Sequence, residues 1–170
     1  MERQLFDPDG DVGTGGGILR AITLWQPYAQ LIALGAKTIE TRSWDTTHRG
    51  LLAIHAAKRE PADTMWTGDI ARTLQQHAMT PKSLPRSAVV AICRVVDVVQ
   101  VSTRVRWHDD DADWHEDPAS GLRIPLAQRE YGDFTEGRYL WLLDDIVEID
   151  PVPAQGKQGF WNWERPSIAA

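Results

Sequence analysis

The sequence predicts an α+β fold in which a curved mixed or antiparallel sheet is flanked by short helices. Its strongest strand signal is the valine-rich run at residues 87–101, because β-branched residues favour extended backbone. Shorter apolar segments lie on both sides of this run. Helical segments fall between them without the regular alternation of a parallel α/β sheet. The 170 residues are enough for one domain.

The first two predicted elements are a short strand and a short helix. Apolar residues alternate from Ile18 to Leu24, as in a half-buried strand. The helix that follows has Pro27 in its first turn and Gly35 just past its end, the positions that these residues favour. Residues 1–17 combine acidic residues with a glycine cluster and have no apolar period. We interpret them as a flexible arm, and residues 18–170 as a single domain.

Alternation over residues 37–44 predicts the next strand. Residues two apart in a strand share a face, so Glu40, Arg42 and Trp44 are expected to lie together. By the same rule Lys37 starts on the opposite face, unless the strand twists or begins after it. A turn-rich stretch leads to an apolar run that predicts a buried strand containing His55.

The second half of the chain predicts a helix, the long central strand, a short helix and a final strand. The first helix begins near Pro61 and carries apolar residues four apart: Trp66, Ile70, Leu74 and Ala78. The valine-rich strand is expected to bend near Asp97. Residues 125–131 are predicted to form the short helix, and residues 139–149 the last strand before the tail at 156–166.

The composition limits the classes of binding partner and the cellular compartment that we expect for this protein. The formal net charge is −6, so the chain as a whole is not a polycation that coats nucleic acid. The single cysteine, Cys93, excludes an internal disulfide and favours a reducing compartment, so we expect a cytoplasmic protein.

No apolar run approaches the roughly 20 residues that span a bilayer, so no membrane contact is expected. His108 and His115 lie in an acidic loop without metal-ligand spacing, and nothing calls for a metal or an organic cofactor.

Residues 23–56 carry a dense set of motifs at fixed spacings, and a second motif block runs from Gly156 to Trp161. The motifs of the first block are Gln26-Pro27, Gly35, Lys37, Glu40, Arg42, Ser43, Trp44, Arg49-Gly50 and Ile54-His55-Ala56. In these motifs the sequence resembles the ASCH domain family. The resemblance implies a PUA-like fold, which is a small β-barrel with a cleft beside the first helix, and a role linked to RNA.

The resemblance places a ligand-binding cleft around these motifs. The residues expected to line it are Trp25, Gln26, Pro27, Tyr28, Lys37, Glu40, Arg42, Ser43, Trp44, Arg49, Gly50, His55 and Trp161. Glu40 supplies an acceptor, Arg42 a bidentate donor and Trp44 a stacking surface, which together suit an unpaired base. The alternative is that Glu40 and Arg42 pair with neighbours while Trp44 packs in the core.

Several of these residues have a simpler structural interpretation. Lys37 is either a phosphate contact, an activated amine, or a surface lysine near a helix C-terminus. Arg49 is expected on phosphates, because cations outnumber carboxylates over residues 17–60. A histidine such as His55 on an apolar strand is more often a core residue than a ligand, although the resemblance moves it towards the cleft. Of the two tail tryptophans, we assign Trp161 to the cleft and the other to the core.

The residues expected in the cleft suggest two functions of different classes. The first is a module that binds RNA or other single-stranded nucleic acid through one nucleotide. The second is a hydrolase acting on RNA or on a modified nucleoside, with Lys37, Glu40 and His55 as catalytic residues. The N4-acetylcytidine amidohydrolases look similar in a Lys-x-x-Thr segment, but Glu40 stands here where their nucleophilic threonine would be, which argues against amide hydrolysis. A protein-interaction module is a third possibility.

Overall fold

The computed structural model of the chain describes residues 17–66, 68–102, 114–117 and 120–166. Two helices and eight strands are found among these residues. Their bounds are β1 Gly17–Leu24, α1 Tyr28–Ala33, β2 Ile39–Arg42, β3 Gly50–Ala56, α2 Gly68–Gln76, β4 Ala88–Gln100, β5 Trp114–Glu116, β6 Arg123–Pro125, β7 Tyr139–Pro153 and β8 Trp161–Arg165. Two 3-10 turns, Asp63–Met65 and Leu126–Tyr131, complete the list.

Six of the strands form one mixed sheet in the order β2-β7-β4-β3-β1-β8, and β5 pairs with β6 in a separate hairpin. The pairing of β1 with β3 is parallel, whereas the other pairings are antiparallel. The α+β class and the mixed sheet are therefore confirmed. Within the described ranges β2 and β8 are open edges, so the closed barrel implied by the resemblance is not confirmed.

The predicted elements differ from the observed ones at their ends, and three observed strands are not predicted: β5, which lies in the expected acidic loop, β6, and β8, which lies in the expected tail. Helix α2 starts at Gly68, not near Pro61, because the 3-10 turn at residues 63–65 comes first. The predicted bend near Asp97 corresponds to a register shift between β4 and β7 at this position. Gly17, which the sequence assigns to the arm, opens β1. The rest of the arm, and His108 of the acidic loop, lie outside the described residues.

The core of the sheet contains a cluster of aromatic rings. Trp141 on β7 is fully buried and meets the edge of Trp44 at 4.7 Å between ring centroids. Phe160 stacks on Trp141 at 5.3 Å and meets Trp44 at 5.2 Å. Such aromatic pairs stabilise a fold by more than the burial of their apolar area. This cluster therefore holds the segment after β2 against the centre of the sheet.

The end of α1 determines where the next segment goes. Gly35 has a φ of +72°, a left-handed conformation that glycine adopts without the steric cost of a Cβ atom. Its backbone N–H bonds to the carbonyl of Ile32, and the N–H groups of Ala36 and Lys37 both bond to the carbonyl of Leu31. This tight ending reverses the chain and directs Lys37 into the interior. Among the described residues, no helix has the length and apolar character needed to cross a membrane.

Candidate functional site

A cavity of about 400 Å³ opens between the start of α1, strand β2 and the segment before β7. Its volume falls within the range of small-molecule pockets, roughly 300–1,000 Å³. The lining residues are Thr23, Leu24, Trp25, Tyr28, Lys37, Glu40, Thr41, Arg42, Tyr131, Gly132, Asp133 and Arg138. Three of these are cations and two are carboxylates, so the lining is positive although the chain is negative overall.

Lys37 lies at the floor of the cavity with 1% of its surface exposed. Its ammonium donates to the backbone carbonyls of Ile39 at 2.6 Å and Tyr131 at 2.5 Å, and it lies 3.2 Å from a carboxylate oxygen of Glu40. Burial lowers the pKa of Lys37, and the opposing charge of Glu40 offsets part of that shift. Lys37 therefore does not face away from Glu40: β2 begins only at Ile39, which is the exception that the sequence left open, and the alternation does not reach back to Lys37.

The floor is held by residues far away in the sequence. The side chain of Gln128 accepts hydrogen bonds from the backbone N–H groups of Thr38 and Ile39 and donates to the carbonyl of Ala36. Its three bonds fix the segment that carries Lys37. The buried amide of Gln128 thus has its polar groups paired, as a buried polar side chain requires.

Glu40 connects the floor to the wall of the cavity. One of its oxygens meets Lys37, and the other lies 3.4 Å from the guanidinium of Arg42. The Arg42 guanidinium also lies 5.5 Å from the centroid of the Trp44 ring. The predicted closeness of Glu40 and Arg42 is therefore observed, and their pairing means that Glu40 presents a carboxylate already held by two cations.

Two aromatic residues of the α1 entry lie at the cavity. Trp25 is 51% exposed, and the guanidinium of Arg59 lies over its ring at 4.7 Å. Tyr28 is half-buried, with the Lys37 ammonium 5.9 Å from its ring. Burial, and secondarily the charge of Glu40, raises the pKa of Tyr28, so its hydroxyl stays protonated at neutral pH.

The far wall comes from the segment before β7. The hydroxyl of Thr41 accepts a hydrogen bond from the backbone N–H of Asp133 at 2.9 Å. Asp133 in turn lies 3.3 Å from Arg138. Burial raises the pKa of Asp133, but hydrogen bonds from Thr135 and the charge of Arg138 outweigh that effect and leave the pKa below its usual value. Sequence reasoning missed this wall, because it lies about 90 residues after β2 and has no motif of its own.

Three residues beside the predicted cleft have structural or surface positions. The buried side chain of Gln26 donates to the carbonyl of Pro85 and accepts from the N–H of Gln30, which anchors the start of α1. Pro27 is buried at the N-cap of that helix. Ser43 is exposed and does not line the cavity.

Trp44 does not line the cavity, which corrects its assignment as a stacking surface. Strand β2 ends at Arg42, so the alternation that put Trp44 beside Glu40 stops before it. Its ring packs against Trp141 and Phe160 instead. The alternative that Trp44 belongs to the core is the one observed.

Arg49 and Gly50 also lie outside the cavity. The Arg49 guanidinium pairs with Asp97 of β4 at 2.9 Å, on an exposed surface. It also donates to the carbonyls of Thr46 and His48, so its role is to hold the loop before β3. Gly50 opens that strand with a φ of +118°. The position of Arg49 does not support its expected phosphate contact.

His55 and Trp161 belong to the sheet interior. His55 is 2% exposed, and its Nε2 bonds to the carbonyl of Ala154 at 3.0 Å. Trp161 is buried, donates to the hydroxyl of Thr23 and meets the His55 ring edge-on. The expectation that the two tail tryptophans divide between cleft and core is wrong: residues two apart in a strand share a face, so Trp163 is buried beside Trp161.

The buried His55 makes stability depend on pH. Burial lowers the pKa of His55 below its ordinary 6.5, against a smaller raising effect of the Ala154 hydrogen bond. As the pH falls through 6.5, the unfolded chain therefore takes up a proton before the folded chain does, and the folded state loses stability. We expect the free energy of unfolding to decrease below pH 6.5, and this part of the decrease to vanish in His55→Gln. Urea denaturation of both proteins from pH 5 to 8 measures the difference; identical pH profiles would contradict it.

Comparison with known proteins identifies the family. The sequence profile of the ASCH domain matches residues 22–133, which is more than half of the chain. The chain belongs to the ASCH domain family. Members of this family are generally associated with RNA binding. The match includes β2 and the floor of the cavity but stops before Arg138.

The ASCH fold is also represented among solved structures. The chain is similar to the crystal structure of ASCH from Zymomonas mobilis, with 20% identity and a TM-score of 0.44, covering 79% of this chain and 72% of that one. A point mutant of the same protein gives 17% identity and a TM-score of 0.49, covering 87% and 89%. No curated protein sequence matches the chain significantly.

Five of the predicted site residues line the cavity of this ASCH domain: Trp25, Tyr28, Lys37, Glu40 and Arg42. The lining residues that the sequence did not indicate are mostly small or late in the chain. Within the described ranges, no group of three or more His, Cys, Asp or Glu side chains is placed to hold a metal ion.

Proposed function

We propose that this ASCH domain binds single-stranded RNA and that the cavity receives one nucleotide of the strand. The observation that carries the proposal is an exposed tryptophan at a cavity whose floor is a buried ion pair, Lys37 with Glu40. The association of the family with RNA binding supports the choice of ligand class.

Trp25 provides the stacking surface in this proposal. Trp25 lines the cavity and is 51% exposed, and the guanidinium of Arg59 lies over its ring. Aromatic rings and guanidinium planes are the groups on which proteins stack unpaired bases. Trp25 therefore takes the role that the sequence had assigned to Trp44.

The floor of the cavity provides hydrogen bonds to the edge of the base. The Glu40 carboxylate lines the cavity, where it can accept hydrogen bonds from an exocyclic amino group. Because Lys37 and Arg42 hold it from two sides, the carboxylate has a fixed position. In a concave site, polar groups with fixed positions mainly determine which base is bound, and they contribute less to the strength of binding.

The test is a titration of fluorescently labelled single-stranded RNA and DNA oligonucleotides, followed by anisotropy at two salt concentrations. We expect RNA binding that weakens at higher salt. Trp25→Ala should weaken RNA binding roughly tenfold to a hundredfold, because base stacking on an aromatic residue contributes about 1–3 kcal/mol. Ile18→Ala is the matched control, since Ile18 is also an exposed apolar residue but lies at the opposite end of β1. Equal effects of the two substitutions, or no RNA binding, would overturn the proposal.

One observation favours the hydrolase as a second candidate. Lys37 is a buried lysine with a lowered pKa in contact with a carboxylate, a combination found at reactive sites as well as in structural ion pairs. In this reaction Glu40 would act as acid and base and Lys37 as the activating group; His55 is excluded from the cavity lining and takes no part. Product analysis of RNA incubated with Glu40→Gln decides: retained RNA affinity with lost turnover supports the hydrolase, whereas full turnover in Glu40→Gln removes this mechanism.

A further inference from the structure

Two arginines line the cavity at one end of the β2–β7 pair: Arg42 is the last residue of β2, and Arg138 directly precedes β7. In the β2–β7 ladder, Arg42 pairs with Tyr139, the residue that follows Arg138. The two arginines therefore stand at the same end of this ladder, and both line the cavity. Their side chains are 21% and 29% exposed, so both can reach a ligand without leaving the wall.

Both guanidiniums have donors to spare. A guanidinium carries five N–H donors. In the described part of the chain, Arg42 donates one hydrogen bond, a long one of 3.4 Å to Glu40. The buried Nε of Arg138 forms an ion pair with a carboxylate oxygen of Asp133 at 3.3 Å, although the two groups are not aligned as a hydrogen bond. A multi-oxygen anion in the cavity would supply acceptors for the N–H donors of both guanidiniums that these carboxylates leave unused.

We propose that Arg42 and Arg138 form a phosphate subsite, so that the cavity recognises a nucleotide with its phosphate and not the nucleoside alone. The inference rests on the proposed RNA binding and adds where the phosphate lies. Arginine suits this role because its planar fork bonds two phosphate oxygens at once.

The arrangement of the carboxylates is consistent with this subsite. Asp133 faces Arg138, and the hydroxyl of Thr41 holds the backbone of Asp133 in place. Asp133 therefore orients Arg138 while the remaining N–H donors stay available. The lining has three cations and two carboxylates, so the single negative charge of a phosphodiester in an RNA strand would bring the cavity to neutrality.

The test compares each of the four ribonucleosides with its 5′- and 3′-monophosphates, and with inorganic phosphate, by calorimetric titration of the full chain. We expect at least one monophosphate to bind tenfold or more tightly than its nucleoside, and inorganic phosphate to compete with it. Arg138→Gln should remove that advantage. Arg94→Gln is the matched control, because Arg94 is equally exposed and pairs with Asp145 at 3.1 Å outside the cavity.

The outcomes separate this inference from the proposed function. Nucleosides that bind as tightly as their monophosphates, an equal loss in the Arg94→Gln control, or no binding of any monophosphate would overturn the phosphate subsite. If RNA oligonucleotides still bind and depend on Trp25 in that case, the RNA proposal stands without the subsite. If monophosphates bind through Arg138 but no RNA oligonucleotide binds, the subsite stands and the RNA proposal fails.

Discussion

Glu40→Ala should lower the free energy of unfolding by about 3 kcal/mol or more, because it leaves the buried ammonium of Lys37 without its counter-charge. The two side chains are 1% and 7% exposed, so water cannot replace the lost carboxylate at little cost. The two backbone carbonyls that Lys37 also contacts supply partial charges only. Urea denaturation at pH 7 measures the loss.

The double variant Lys37→Met, Glu40→Leu is the control for this prediction. It removes both charges and keeps apolar volume at the site, a change that is often neutral for a buried ion pair. We expect it to recover most of the stability lost in Glu40→Ala but not the binding of RNA. A loss below about 1 kcal/mol in Glu40→Ala would contradict the view that Lys37 is charged and depends on Glu40.

Trp44→Ala should also lower the free energy of unfolding by about 3 kcal/mol, because it removes a large ring from the aromatic cluster. Trp44 meets Trp141 and Phe160 edge-on, with centroids within 5.2 Å. The affinity of the folded protein for RNA should fall much less than in Trp25→Ala, since the ring of Trp44 does not line the cavity and contacts it only through Arg42. Thermal unfolding and RNA titration of the same sample measure both effects.

Trp25→Ala is expected to have the opposite effects to Trp44→Ala: weaker RNA binding with little change in stability. Trp25 is half exposed, so its removal should change stability by no more than about 0.5 kcal/mol, as for most surface substitutions. If Trp44→Ala weakened RNA binding as much as Trp25→Ala did, the assignment of stacking to Trp25 would be contradicted.

Local sequence patterns were sufficient to predict most elements of the fold. Gly35 follows a helix whose end it shapes, and the valine-rich run is the central strand β4. These signals depend on residues close together in the chain, where backbone sterics and apolar periodicity decide the conformation. The openness of the sheet could not be predicted in this way, because it depends on whether the distant edges β2 and β8 meet.

The sequence predicts only those parts of the candidate site that depend on residues close together in the chain. The pairing of Glu40 with Arg42 follows from their spacing on β2. The sequence leaves the face of Lys37 open, because its position depends on the carbonyl of Tyr131 and on Gln128, both about 90 residues later. Arg138 was missed for the same reason, since only the β2–β7 pairing brings it to the cavity.

Photocrosslinking tests the central claim, that one nucleotide of RNA lies in this cavity, most directly. A single-stranded RNA containing 4-thiouridine is irradiated with the protein, and the attached peptides are identified by mass spectrometry. If the nucleotide lies in the cavity, the RNA attaches to the peptides that contain Trp25 and Tyr28 or the segment 131–138, and it attaches less in Trp25→Ala. Attachment confined to other peptides, such as those with His48 and Phe160, or no attachment at all, would contradict it.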